Sequence, residues 1–353
     1  MSIRKIKDLL ARMGGANEAP HLVVELVEEV GSLIDSLDLR IQDLQSIIGA
    51  PDLDAGSRSA TLDLMVRGLA EEFTLPASRE AVQRSREGAP IISFREMADV
   101  LVQGSDVARL PDWVIPAFRQ ITSILRNEHF PCIFARQANY LKSGWVCFVE
   151  SVETQSGKEA VQRALEAYYD LLARSPRERT ILMPMMFVVK PVYPMLSLKA
   201  YRDQAWGLFQ FLHENDPEPW PIDVPTEPDR GDWSFCYGGM QLFSNVSDPA
   251  HKIHKSRNLG DSLVFAMQPR TNFDLVGGNN RKGRMVRNEI RERASRYEGR
   301  PPASHLGFYG TPDNREWKQM ATKDSEADVD YPEVCPFHAK AKADKADKDP
   351  TQK

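Results

Sequence analysis

The chain has 353 residues, of which 42% are hydrophobic and 27% charged, so its composition is that of a globular protein and excludes a wholly disordered chain. The 45 Lys and Arg residues nearly balance the 50 Asp and Glu residues, and the net charge of -5 excludes non-specific nucleic-acid binding as a default function. The longest apolar run, 181–189, is far shorter than the roughly 20 residues of a membrane-spanning helix, so we expect a cytoplasmic protein without a membrane contact.

The N-terminal third of the chain has helical periodicity. Between residues 21 and 49 apolar residues recur at alternating spacings of four and three, which is the pattern of a coiled-coil seam. Additional apolar residues widen this stripe, so two interpretations stay open: a helix packed on its own domain, or a coil that joins copies of the chain as a homo-oligomer. Further helical patterns cover 59–73 and 115–127. We therefore predict a helical N-terminal extension over residues 1–110.

Beyond residue 130, strand-like runs alternate with helical ones. The predicted strands are Trp145–Glu150, Ile181–Val189, Met240–Val246 and Leu263–Met267, and the predicted helices are Glu159–Ala173 and Ser197–His213. Five prolines between 215 and 232 exclude both a helix and a central strand from that stretch. The sequence thus predicts an α+β fold: a helical N-terminal region, a mixed β-sheet domain with flanking helices over 111–337, and a disordered tail over 338–353.

The densest group of chemically active side chains follows the third predicted strand. The stretch 248–260 contains His251, His254 and Arg257 together with two lysines, in a protein that is mildly acidic overall. Imidazole can bind a metal, and a guanidinium offers a bidentate fork to a carboxylate or phosphate, so this loop is a candidate site for an anionic group. A solvated basic loop with exposed histidines is the alternative interpretation. Motifs of phosphate-binding loops, zinc hydrolases and serine hydrolases do not occur in the chain.

Two further features are weaker. Arg270 follows an apolar strand, where loops that face a ligand often begin, and a surface arginine is the alternative. Cys335 precedes a proline near the chain end and could present a thiolate, as haem-thiolate proteins do, although such a cysteine is more often simply packed. The four cysteines form no CxxC pair, which argues against a disulfide framework and a structural zinc site.

A set of motifs beyond residue 130 resembles one known family. Read in order, they are PCIFA at 131–135, WVCFVES at 145–151, PWPIDVP at 219–225, DWSFCYGGMQLFSN at 232–245, DPAHKIHKSRNLG at 248–260, VFAMQPRTNFD at 264–274, HLGFYG at 305–310, EWKQM at 316–320 and CPF at 335–337. In combination these are similar to the YqcI/YcgG family over residues 130–337. The chain departs from the family pattern at Met320, where an aromatic residue is more usual, and residues 1–110 match no part of it.

The resemblance implies a haem-dependent N-oxygenase. Characterised members hydroxylate an amino or guanidino nitrogen of small amino-acid-like substrates. The resemblance then implies non-covalent haem b, since no CxxCH attachment motif occurs, and an external electron donor, since no flavin or nicotinamide fingerprint occurs. The cofactor-binding candidates are His251, Arg257, Asn258, Arg270 and Cys335.

For the iron ligand, we expect His251 rather than Cys335, with His254 as the nearest substitute. A haem-binding sensor or carrier, and an interaction protein without catalysis, are the alternative functions. We also expect the N-terminal extension to be dispensable for haem binding.

Overall fold

A computed structural model describes residues 91–103, 110–175, 180–277, 281–301, 307–325 and 327–338. Within them the chain forms a six-stranded mixed sheet with helices on both faces. In chain order the strands are β1 (Ile92–Ser93), β2 (Trp145–Val149), β3 (Met185–Val189), β4 (Phe235–Tyr237), β5 (Met240–Ser247) and β6 (Val264–Pro269).

Eight α-helices occur in the described residues. They are α1 (Phe94–Gln103), α2 (Val114–Arg126), α3 (Ile133–Leu141), α4 (Gln155–Ala173), α5 (Leu198–Glu214), α6 (Arg270–Gly277), α7 (Arg281–Glu298) and α8 (Glu316–Met320). Side-chain caps start several of them: Thr154 accepts a hydrogen bond from the N–H of Gly157 at α4, and Ser197 accepts one from Ala200 at α5. These caps satisfy backbone donors that have no partner inside the helix.

The strand order β1-β2-β3-β6-β5-β4 decides where the loops meet. Only β2 and β3 run parallel, and α4 supplies the crossover that a parallel pair needs. The remaining neighbours are antiparallel. The carboxyl ends of β2, β3 and β5 therefore lie at the same edge of the sheet as the amino end of β6. The loop that joins β5 to β6, which contains the predicted site, lies at this edge.

The two faces of the sheet are covered differently. On one face, called here the closed face, Phe187 and Phe265 pack against Phe209 of α5 and Tyr168 of α4, and all four side chains are fully buried. On the opposite face, α1 and α2 cover β2 and β3. Strand β3 is buried at every position because helices cover both of its faces.

Near β5 and β6 the opposite face is less tightly covered. Phe243, Asn245 and Ala266 are half-buried, and Gln268 pairs with Phe243 across the two strands. We call these four residues the β5–β6 surface. The ring of Phe243 lies 4.2 Å from that of Phe273 in α6, so α6 packs over this surface.

The α+β fold with a mixed sheet and flanking helices is confirmed, as are the four predicted strands, although β3 begins at Met185 instead of 181 because Pro184 cannot continue it. No helix or strand forms between 215 and 232. Residues 1–90, with the predicted coil at 21–49, and 339–353 of the predicted tail lie outside the described residues. Strand β1 and helix α1 fall within the predicted extension and pack on the sheet domain. None of the described helices is long and apolar enough to cross a membrane.

Candidate functional site

The loop from 248 to 260 is closed at its base by its own backbone and by Asn258. The N–H of Asp248 donates to the carbonyl of Arg257 over 2.9 Å. Asn258 Nδ2 donates to the carbonyls of Pro249 and His251, at 3.3 and 3.0 Å, and Asn258 Oδ1 accepts from the N–H of Gly260. Asn258, a predicted cofactor residue, thus uses its side-chain amide to hold the loop together.

A carboxylate from a distant segment fixes the middle of the loop. Asp324 accepts hydrogen bonds from the backbone N–H groups of Lys252, Ile253 and His254, at 3.0, 3.0 and 2.8 Å. Successive N–H groups that converge in this way form an anion-binding nest, and here the anion is a side chain of the same chain. These hydrogen bonds fix the backbone at His254 and so limit the orientation of its side chain.

His251, the predicted iron ligand, is buried with both ring nitrogens against protein atoms. Its side chain is 2% exposed, and Nε2 lies 3.2 Å from the carbonyl oxygen of Thr322. Nδ1 lies 2.9 Å from Oδ2 of Asp248, although the two atoms are not aligned for a hydrogen bond. A ring nitrogen must be free of such neighbours to bind a metal. In this arrangement His251 joins the loop to the segment after α8.

His254 has a different environment. Its Nδ1 lies 2.9 Å from Oε2 of Glu298, the last residue of α7, and both side chains are buried. Glu298 also accepts hydrogen bonds from Oγ and N of Ser256. Burial raises the pKa of Glu298, but the hydrogen bonds from His254 and Ser256 outweigh it, and the net shift is downward. Nε2 of His254 has no hydrogen-bond partner among the described residues and keeps some accessible surface. An imidazole held at Nδ1 by a carboxylate and open at Nε2 is the usual arrangement of a metal-ligating histidine.

Arg257 is a half-buried cation with no ion-pair or hydrogen-bond partner among the described residues. Its Nη1 is fully buried and makes no hydrogen bond. Burial lowers the pKa of its guanidinium, and the charges of Glu298 and Glu316 raise it only in part. A buried charge without a partner is costly, and a carboxylate ligand would supply that partner.

The amino end of α3 lies beside this guanidinium. Cys132 caps the helix, because its Sγ accepts from the N–H of Ala135 at 3.4 Å. Burial raises the pKa of its thiol, while backbone N–H groups of α3 and the charges of Arg257 and Arg293 lower it. One helical turn on, Arg136 has a buried Nε without a partner. Arginines thus predominate in this part of the site.

Arg270 and Gln268 lie at the other end of the β5–β6 surface. The guanidinium carbon of Arg270 lies 3.0 Å from the centre of the Tyr309 ring, and Nη1 donates to Glu316 over 3.4 Å. Nε of Arg270 and Oε1 of Gln268 are both buried and lack a hydrogen-bond partner. Arg270 directly follows β6, as predicted, but it begins helix α6 instead of a loop, and its guanidinium is buried rather than on the surface.

Cys335 lies in the core of the closed face. Phe337, two residues on, packs among the rings of Trp220, Trp233 and Phe235. Burial raises the pKa of the Cys335 thiol to about 12, so the neutral thiol is the stable form. The contacts of the described residues do not join Cys335 to His251 or His254. Among the described residues no three His, Cys, Asp or Glu side chains converge to hold a bare metal ion.

Sequence reasoning missed Glu298 and Gln268. Glu298 lies 44 positions from His254, on a helix whose many charges obscure its periodicity, and only Gly299 indicates that the helix ends there. Gln268 occurs in the QPR motif, yet an isolated glutamine within an apolar strand gives no chemical signal. The pairing of β6 with β5 reveals its position.

Comparisons with known proteins agree on one family. The model of the YqcI/YcgG family matches residues 121–338. A Streptomyces lavendulae protein named "Putative N(omega)-hydroxy-L-arginine synthase DcsA" is 35% identical over 260 residues, which cover 72% of this chain and 92% of that protein. YcgG and YqcI of Bacillus subtilis (strain 168), whose names state no activity, are 31% and 30% identical, each over 65% of this chain and 89% of the relative. No solved structure matches the chain.

Proposed function

The chain belongs to the YqcI/YcgG family, and from that premise we propose that it is a haem-dependent enzyme that hydroxylates a nitrogen of a small, arginine-like amino acid. The name of the Streptomyces relative supports the reaction and the substrate class, because it describes the synthesis of N-hydroxy-L-arginine. Such a reaction consumes the substrate, dioxygen, two electrons and two protons, and it releases the N-hydroxy product and water. The electrons come from an external donor.

The observation that carries the proposal is that one loop contains both an oriented imidazole, His254, and a half-buried guanidinium without a bonded partner, Arg257. Haem b has an iron that needs an axial nitrogen or sulfur ligand, and two propionates that need cationic partners. His254 offers an accessible Nε2, and Arg257 offers a guanidinium whose buried Nη1 makes no hydrogen bond. The residues present therefore fit this cofactor, with Arg136 and Arg293 as additional cations nearby.

We propose that His254, rather than His251, would bind the haem iron. Both ring nitrogens of His251 already face protein oxygens, at 2.9 and 3.2 Å, so ligation would require the ring to leave Asp248 or Thr322. His254 needs no such movement. Cys335 fits less well than either, because its thiol is neutral and packed on the closed face.

Each side chain then has a defined part. Bound haem would supply the activation of dioxygen and its transfer to nitrogen. Glu298 holds the proton of His254 at Nδ1, which fixes the tautomer and makes Nε2 a stronger donor. Arg257 would bind a haem propionate. The ring of Phe273 packs against that of Phe134 in a T-shaped arrangement and against that of Phe243 in a tilted one, and the three rings would exclude water from the neighbouring surface.

The test is purification of the full chain with haem supplied, followed by absorption spectroscopy and turnover. We expect a Soret band and, in the ferrous–CO complex, an imidazole-type position. With a reductase system and L-arginine, mass spectrometry should detect a product that is one oxygen atom heavier. A protein that stays colourless after haem reconstitution would contradict the cofactor, and a haem protein that oxidises no basic amino acid would contradict the reaction.

A further inference from the structure

Two neighbouring side chains carry complementary polar atoms without partners. Oε1 of Gln268 is an acceptor that lacks a donor, and Nε of Arg270 is a charged donor that lacks an acceptor. The two residues are only 8% and 5% exposed. Each unpaired atom costs free energy, because it has lost its hydrogen bonds to water without replacing them. An occupant that offers an N–H to Gln268 and an acidic oxygen to Arg270 would remove both costs.

Strand pairing places both residues beside one surface. Gln268 pairs with Phe243 and belongs to the β5–β6 surface. Gln241 lies on the same face as Phe243, since alternate residues of a strand point to the same side. The hydroxyl of Tyr309 lies 3.0 Å from Oε1 of Gln241, and the ring of Tyr309 carries the guanidinium of Arg270. Arg270 is therefore held against the end of the surface to which Gln268 contributes.

The charges around Arg270 favour a zwitterionic ligand over a simple anion. Glu316 lies 3.4 Å from Nη1 of Arg270 and also accepts from Asn314 and Gln319. A simple anion at Arg270 would meet this carboxylate as well as the guanidinium. A zwitterion avoids that repulsion, because it brings a cation together with its carboxylate. The α-carbon of an amino acid carries these two groups side by side.

We propose that Gln268 and Arg270 form the subsite that binds the α-amino and α-carboxylate groups of an amino-acid substrate. Arg270 donates from Nε to the carboxylate, Gln268 accepts an N–H of the ammonium, and Glu316 balances the charge. The choice of a basic amino acid such as L-arginine rests on the proposed function. The recognition of its α-amino and α-carboxylate groups rests on the two atoms without partners, Oε1 of Gln268 and Nε of Arg270. The side chain of the substrate, which carries the nitrogen to be oxidised, then extends away from this subsite.

Calorimetric binding to the full chain tests the subsite with three probes. L-Arginine carries both head groups, agmatine lacks the carboxylate, and 5-guanidinopentanoate lacks the α-amino group. A hydrogen bond to a charged group is worth about a tenfold or larger change in affinity. We expect the wild type to bind L-arginine at least about tenfold more tightly than either analogue.

The variants assign each group to its partner. Arg270→Met should weaken L-arginine binding about tenfold and leave agmatine within about twofold. Gln268→Met should weaken L-arginine binding by a similar factor and leave 5-guanidinopentanoate binding within about twofold. Arg163→Met, an exposed change on α4, is the matched control and should alter none of these affinities. Arg270→Met leaves the buried carboxylate of Glu316 without its cation, which could unfold the protein. The double variant Arg270→Met/Glu316→Gln removes this unpaired charge and is used if the single variant does not fold.

The outcomes separate this subsite from the proposed function. Equal binding of the three probes by the wild type, no binding of L-arginine, or unchanged discrimination in folded variants would each overturn the subsite. N-hydroxylated product together with unchanged discrimination would overturn the subsite and leave the proposed function standing. The expected binding pattern without any oxidised product would support the subsite and contradict the proposed function.

Discussion

Arg202 is a buried arginine and Arg257 a half-buried one, and the two differ in whether the guanidinium has a counter-ion within the chain. Arg202 of α5, 3% exposed, donates from Nη1 and Nη2 to the two carboxylate oxygens of Asp328, at 2.5 and 3.2 Å, and lies over the ring of Tyr331. Arg257, in the loop after β5, has a buried Nη1 and no partner among the described residues. The paired guanidinium already has its counter-ion, whereas the unpaired one needs an anion from outside the chain.

The same difference separates the two faces of the sheet. The closed face is filled by aromatic and aliphatic side chains that pack on one another, and its buried cation is paired within the chain. The β5–β6 surface contains the amide oxygen Oε1 of Gln268 and adjoins Nε of Arg270, and both of these atoms lack a hydrogen-bond partner. Tyr201, Trp206 and Trp233 of the closed face also have a buried polar atom without a hydrogen-bond partner, but these atoms are neutral. The charge of the guanidinium is therefore what distinguishes the side of the β5–β6 surface, because an unpaired charge is costlier to bury than an unpaired neutral group.

The largest expected effect compares two phenylalanines of the same sheet. Phe187→Ala should lower the free energy of unfolding by about 3–5 kcal/mol, because its ring is fully buried on the closed face. Phe243→Ala should cost about 1–2 kcal/mol, since its ring is half-buried and can be replaced by solvent. Urea denaturation of both variants measures the difference. Equal losses would mean that the β5–β6 surface is packed as tightly as the core.

The second prediction compares the two arginines directly. Arg202→Met should cost about 3 kcal/mol of unfolding free energy, because it leaves the Asp328 carboxylate buried without its cation. Arg257→Met should leave the stability of the haem-free protein within about 1 kcal/mol of wild type or raise it, because no carboxylate loses a bonded partner. Its haem retention should fall during gel filtration. A strongly destabilised Arg257→Met variant would contradict the binding role.

The third prediction compares the two histidines of the loop. His251→Ala should cost about 2–3 kcal/mol, since Asp248 loses the group that faces it, while the haem spectrum is retained. His254→Ala should cost less, because Glu298 keeps its hydrogen bonds to Ser256, and the imidazole-type ferrous–CO band should disappear. Loss of this band in His251→Ala alone would reverse our assignment of the axial ligand.

These histidines also show how far the sequence could predict the site. The loop, its two imidazoles and Arg257 were predicted from local composition, and the strands that hold it followed from apolar runs of ordinary strand length. The choice between His251 and His254 depends on Thr322 and Glu298, which lie 71 and 44 positions away. Such partners meet only through the tertiary fold, and one sequence contains no local signal for them.

Helix α6, which packs over the β5–β6 surface, and helix α7, which contacts α6, were missed for a related reason. Helix α7 reads RKGRMVRNEIRERASRYE, in which charged residues occupy most positions and leave no clear apolar stripe. Several of its arginines face protein instead of water: Arg291 donates to the carbonyl of Gly307, and Arg293 donates to that of Glu128. A pattern based on apolar periodicity cannot anticipate a helix that packs through guanidinium groups.

The smallest expected effect concerns Cys335 and depends on pH. Burial raises the pKa of this thiol to about 12, whereas an unfolded thiol ionises near about 8.5. The folded state therefore favours the neutral thiol. The contribution of this thiol to stability is complete below the pKa of the unfolded chain, and it is lost as the pH rises toward the pKa of the folded protein. Between pH 7.5 and 9.5 this loss amounts to about 1 kcal/mol.

Cys335→Ala should remove this contribution and no other. Cys147 and Cys236 are also buried with pKa values raised to about 12, so they lose stability equally in both proteins and cancel in the comparison. Urea denaturation at the two pH values should show the wild type losing about 1 kcal/mol more than the variant. A cavity cost of the substitution is the same at both pH values and does not enter this difference. A thiolate bound to iron would reverse the sign of this pH-dependent difference, because ligation lowers the pKa of the folded thiol. If the stability of the haem protein relative to Cys335→Ala increased with pH, Cys335 would therefore be the iron ligand.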